Sequence, residues 1–328
     1  MRKLFYPLFI FVELLLLTGI IILTVKIVEL YTGKVKNVQY VITTDNNLIF
    51  NTNYGKLKYF YEPKPNTLET WRLDLLGYNT GYSINSDSLN EKNDYSIIKR
   101  NNTYRIITIG DSFTYGVFIE QSGNYSKVLE GLLNKLQCVD LNNFEVINLG
   151  IPGYDIEYTV ERLVKRGIKY NPDLVIWLTQ DGNFTRINEY SLPIEKKLRD
   201  SGMPSYERSE SGEITTVAQK NAVEEVKRIY GIEYIIDYQK KALWRLNQVF
   251  LKKLLVFNFD RLSPIHTKIL EEFVKTNNNY FYYPDLFDYW NNKYYQLVDG
   301  HPNKVGHKKI AYEILDLLIR EKFIPNCY

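Results

Sequence analysis

The chain has 328 residues, 45% of them hydrophobic and 24% charged, which excludes the disordered, collagen-like and low-complexity classes. Lys and Arg number 41 against 38 Asp and Glu, and this net charge of +3, without a basic stripe, speaks against nucleic acid as a partner. The two cysteines, Cys138 and Cys327, form no C-x-x-C and cannot build a structural zinc site, so no metal and no other cofactor is expected. The two thiols either pair in an oxidising compartment or stay free.

Leu4 to Val25 reads LFYPLFIFVELLLLTGIIILTV, 22 residues with Glu13 as the one charge. That length spans a hydrocarbon core. A cleaved signal peptide would need a small-x-small site, but Lys26, Ile27 and Val28 follow the apolar run. Residues 1–29 are therefore expected to form an uncleaved signal-anchor transmembrane helix. Arg2 and Lys3 before it nearly balance Lys26, Lys34 and Lys36 after it. The short N-terminal tail is the easier end to leave inside. The expectation is a single-pass cell-membrane protein with its folded part extracytoplasmic.

Residues 30–103 are rich in Asn, Thr, Tyr and Asp, and Val38 to Ile42 and Leu57 to Tyr61 look extended. Pro63 and Pro65 exclude a helix there, so the region reads as a stalk plus a small accessory layer. From Tyr104 onward short apolar runs alternate with helical patterns. The runs are Tyr104 to Ile109, Phe144 to Leu149, Asp173 to Leu178, Leu254 to Phe259 and Tyr280 to Tyr283. Val128, Leu129, Leu132, Leu133 and Leu136 share one helical face, and so do Ile310, Ile314, Leu317 and Leu318. This alternation predicts an α/β fold for 104–328, a three-layer α/β/α sandwich around a parallel sheet. A polar helical stretch, about 185–250, reads as an insertion over the site end of that sheet.

In such sheets sites form where strands end. The first run is followed by Gly110-Asp111-Ser112-Phe113-Thr114-Tyr115-Gly116. The second leads into Asn148-Leu149-Gly150-Ile151-Pro152-Gly153-Tyr154, the third into Gln180-Asp181-Gly182-Asn183, and the last region carries Asp299-Gly300-His301-Pro302-Asn303. A serine nucleophile needs a base, the base needs an orienting carboxylate, and the tetrahedral oxyanion needs preorganised N–H donors. Ser112, His301 and Asp299 could fill the first three roles. The N–H of Ser112, the N–H of Gly150 and the side chain of Asn183 could form the oxyanion hole. Asp181, if ionised, only accepts hydrogen bonds. Asp111 reads as a structural turn residue, His307 as structural and His266 as solvated. The G-x-S-x-G elbow, H-E-x-x-H and the P-loop are all absent from the sequence.

The blocks GDSFTYG, NLGIPGY and DGHPNKVGH, in that order, resemble the SGNH/GDSL hydrolase family, in a membrane-anchored bacterial branch. The resemblance implies a flavodoxin-like sandwich, with Ser112 as nucleophile and Asp299 and His301 completing the triad. Two blocks depart from the pattern. The usual D-x-x-H is here D-x-H, a spacing similar to that of alginate-type O-acetyltransferases. The third block, normally G-x-N-D, puts Gly182 in the Asn position unless the register shifts by one residue, and with that shift Asn183 becomes the oxyanion donor. The implied function is a serine-dependent acyl or acetyl esterase acting on a glycan or lipid. The alternatives are a polysaccharide O-acetyltransferase that needs an acyl-donor partner protein, or an anchored binding module with a degenerate site.

Overall fold

The computed structural model describes residues 48–50, 57–73, 78–204, 207–208, 214–259, 261–287, 293–325 and 327. The expected transmembrane segment, the extended piece Val38 to Ile42 and Trp290 lie outside them. Among the described residues no helix is long and apolar enough to cross a membrane.

The accessory region builds two small antiparallel pairs. β1 (Leu48–Phe50) pairs with β2 (Tyr61–Pro63), and β3 (Thr67–Leu73) pairs with β4 (Tyr78–Ile84). The turn joining β2 to β3 uses Pro65 and Asn66, the latter at φ 57, where a short polar side chain is tolerated. Phe60, Tyr61, Tyr82 and Ile84 share one apolar cluster with Tyr115, Phe118, Ile151 and Tyr158 of the following region. Tyr82 Oη donates to Gly116 O at 3.0 Å, and Asn90 Nδ2 donates to Tyr115 O at 3.0 Å. Glu62 meets Arg162 in a fully buried ion pair, and Arg166 reaches the same carboxylate at 2.8 Å. The accessory layer is thus fused to the rest by core packing and by buried charge, where removing one partner alone leaves the other uncompensated.

The β-branched runs become β5 (Thr103–Ile109), β6 (Asn143–Asn148), β7 (Leu174–Thr179), β10 (Lys253–Asn258) and β11 (Tyr280–Tyr283). They form one parallel sheet in the order β11-β10-β7-β5-β6. The chain leaves β5 for one edge and returns past it to β7, so the switch point falls at β5. Both faces of the sheet are covered, which is why these strands are apolar without alternation. On one face Ile106, Val146 and Leu255 pack with α2 (Tyr125–Leu133) and α9 (Lys304–Arg320). On the other, Ile107, Ile147, Val175 and Val256 pack with α3 (Ile156–Arg162), α7 (Ile232–Val249) and α8 (Pro264–Val274). Cys138 and Cys327 are joined by a disulfide that ties the segment after α9 to the segment after α2.

The stretch expected as one insertion is divided. α5 (Asn188–Asp200), the short pair β8 (Glu207–Arg208) and β9 (Ile214–Thr215), and α6 (Val217–Tyr230) stand outside the sandwich. α7 does not. Its Ala242, Leu243 and Leu246 are buried against the sheet, making it the crossover helix between β7 and β10. Its polar outer face gave it the texture of the insertion.

Candidate active site

Beyond Ile109 the chain turns through Gly110 and Asp111 into the four-residue helix α1 (Ser112–Tyr115). Asp111 caps that helix, one carboxylate oxygen accepting from Phe113 N at 3.1 Å. Its other oxygen accepts from Gln180 Nε2 at 2.5 Å and Asn183 Nδ2 at 2.9 Å. Fully buried, Asp111 locks the end of β5 to the end of β7. This clamp leaves Ser112 half-buried just beyond the C-terminal end of β5. Neither its hydroxyl nor its N–H takes a hydrogen-bond partner among the described residues.

His301 sits on the segment leading into α9, which Asn303 caps by accepting from Gly306 N. Its Nδ1 lies 2.9 Å from Asp299 Oδ2, and its N–H donates to Asp299 Oδ1 at 3.2 Å. The carboxylate thereby fixes the ring through Nδ1, and Nε2 makes no hydrogen bond among the described residues. The imidazole lies edge-on to Phe113, the residue after Ser112, 5.1 Å between centroids, and both Ser112 and His301 line one cavity of about 330 Å³. Burial favours the neutral form of each group, but here their mutual charge and hydrogen bonds prevail. Asp299 is held below the usual carboxylate range and His301 is raised above the usual imidazole range. The Asp111 charge reinforces the rise, and the Arg186 guanidinium opposes it.

Two expected oxyanion donors are otherwise engaged. The N–H of Gly150 donates to Asn148 Oδ1 at 2.9 Å. A glycine is required there for space, because a Cβ would stand 2.4 Å from Tyr115 N. The second glycine of the same block, Gly153, lines the cavity at φ 82, and its N–H makes no hydrogen bond among the described residues. Asn183 is 1% exposed, and both its amide hydrogens are committed, to Asp111 and to Tyr154 O. Gln180, the first residue after β7, lines the cavity instead, and its Nε2 has one hydrogen beyond the bond to Asp111. In the cavity wall the N–H of Ser112, the N–H of Gly153 and one hydrogen of Gln180 Nε2 are thus left without an acceptor among the described residues.

His266 also departs from expectation. It is 4% exposed, stacked on Phe184, with Nδ1 2.6 Å from Asp181 Oδ1. It sits on the inward side of α8, where it anchors the start of α4 (Asp181–Thr185) rather than meeting solvent. His307 is structural: buried and stacked on Tyr125, it accepts from Tyr125 N, and burial lowers it to about 3, so it stays neutral.

The cavity walls come from outside the sandwich. Tyr61, Pro63, Glu69 and Trp71 of the accessory pairs form one side; Leu192, Glu195 and Arg199 of α5, with Thr216 and Gln219, form the other.

No protein-family model and no curated protein matches the chain. Among solved structures it is similar to a psychrotrophic esterase, EstA, from Pseudoalteromonas sp., at 16% identity and a TM-score of 0.40, covering 67% of this chain and 98% of that one. It is also similar to an acetylxylan esterase, Axe2, from Geobacillus stearothermophilus, at 16% identity and a TM-score of 0.39, covering 67% and 95%. TesA aligns at 12% identity and a TM-score of 0.38, covering 67% and 99%. At such values the functional reading is left to the site's own geometry.

Proposed function

We propose that the chain is a serine-dependent carboxylic ester hydrolase, working outside the membrane on acyl groups carried by a glycan or a lipid. One observation carries this reading: an unpartnered serine hydroxyl at a strand end lines the same cavity as an Asp-oriented histidine. Ser112 Oγ attacks the ester carbonyl while His301 Nε2 takes its proton. The oxyanion forms against the N–H groups of Ser112 and Gly153 and the Gln180 amide. Collapse breaks the carbonyl–alkoxy bond, His301 returns the proton to the departing alcohol, and water then repeats the sequence on the acyl-serine. Asp299 stabilises the imidazolium in both steps. The Cys138–Cys327 bond supports an oxidising compartment. The apolar run Leu4 to Val25 supports attachment to a membrane.

The test is covalent. A fluorophosphonate is expected to label the folded protein once, at Ser112, and to abolish hydrolysis of an aryl acetate in parallel. Labelling elsewhere, or hydrolysis that survives complete labelling, would refute the assignment.

A pH dependence follows from the same pair. The base must be neutral, and its folded-state pKa is raised, so kcat/KM is lost as pH falls through a midpoint above the ordinary imidazole value. In Asp299→Asn the charge that raises the midpoint is gone, and the midpoint should move to lower pH along with a large loss of rate. A pH–rate profile with the same midpoint in both proteins would remove Asp299 from this role.

A further inference from the structure

Resting on the ester-hydrolase reading, we infer that Glu69 and Trp71 of β3 form a sugar subsite, so that the alcohol part of the ester is a glycan rather than a lipid. Glu69 is 3% exposed and lines the cavity. Its Oε2 accepts from Tyr115 Oη at 2.8 Å and Trp71 Nε1 at 3.3 Å. Its Oε1 has no hydrogen-bond partner among the described residues. A buried carboxyl oxygen left unpaired costs free energy that a ligand hydroxyl would recover. Nothing in an acyl chain could supply that partner, whereas a pyranose presents several hydroxyls around its rim.

Trp71 provides the second element of sugar recognition. It is half-buried and lines the same cavity, its ring braced by Tyr115 at 5.9 Å and Phe118 at 6.5 Å between centroids. A braced indole beside a carboxyl matches the amphipathic shape of a sugar ring, with an apolar C–H face and a hydroxyl edge. Phe118 also touches the His301 ring, at 6.3 Å. One aromatic side chain therefore separates the subsite from the base, close enough for an ester on the bound sugar to reach Ser112. On the opposite wall Glu195, Arg199 and Gln219 stand beside Leu192, so apolar surface and hydrogen-bonding groups alternate there as they do around a sugar ring.

The experiment is calorimetric titration of the folded chain with unesterified xylo-, manno- and β-1,4-linked N-acetylglucosamine oligosaccharides, alongside kinetics on an aryl acetate and on the O-acetylated sugars. At least one oligosaccharide should bind at millimolar concentration or below. Trp71→Ala should weaken that binding about tenfold or more, with Trp71→Phe in between. Glu69→Gln keeps an oxygen for Tyr115 and Trp71 but replaces the free acceptor with a donor, and should weaken binding by about tenfold. In Trp71→Ala the ratio of kcat/KM on the acetylated sugar to that on the aryl acetate should fall by a similar factor, through KM. Binding by none of the sugars, variants that bind like the unmodified protein, or an unchanged ratio would overturn the subsite. A wild-type protein without Ser112-dependent turnover of the aryl acetate would instead overturn the hydrolase reading, so the two failures are distinguishable.

Discussion

Ser112→Ala is expected to lower turnover of an aryl acetate by about six orders of magnitude without loss of the fold. The size of the effect follows from the concerted nature of the site: without the hydroxyl, His301 has no nucleophile to activate, and only the oxyanion donors remain. The fold should survive because the Ser112 hydroxyl makes no hydrogen bond among the described residues, and α1 is held by the Asp111 cap instead. Thermal unfolding and circular dichroism should match the unmodified protein. Activity within about tenfold of the unmodified protein would mean that another nucleophile is at work.

The second large effect is on stability. Cys138 and Cys327 are 189 residues apart in sequence, so their bond removes a very long loop from the unfolded ensemble. The chain-entropy estimate for such a loop is about 5 kcal/mol, and replacing Cys138 by Ser should cost a substantial part of it. Denaturant unfolding of Cys138→Ser against the oxidised protein measures the loss directly. Protein alkylated on isolation from its own cells should carry no free thiol at either position. Equal stabilities, or two alkylated cysteines, would set aside both the bond and the oxidising compartment that it supports.

The sandwich was legible because its strands are buried on both faces. Short β-branched runs such as Ile106-Ile107-Thr108-Ile109, ended by a glycine, favour a strand buried on both faces. The Asp299–His301 pair was legible because the two residues are close in sequence and their chemistry is local. The donors we propose for the oxyanion were not, since each depends on which hydrogens are already spent. Asn183 is the right residue type in the right block, yet Asp111 and Tyr154 consume both its N–H bonds. Gly150 is a glycine for packing against Tyr115, while Gly153, three residues on, leaves its N–H free. The signal for Gln180 was present in its position as the first residue after β7. His266 looked solvated because its partner, Asp181, lies 85 positions away. The helix at 232–249 was misplaced for a related reason: only its inner face touches the sheet, and its exposed residues dominate the composition.

The groups assigned to bond making and breaking all stand at strand ends or on the segment before α9, whereas the cavity walls belong to segments attached outside the sandwich. Reactivity and selectivity are thus encoded in separate stretches of sequence. Substitutions along β2, β3, α5 or α6 can reshape what the cavity admits while the Asp111 clamp and the Asp299–His301 pair stay intact. Such an arrangement lets a lineage explore new acyl carriers through its walls, by single changes that need not pass through an inactive intermediate.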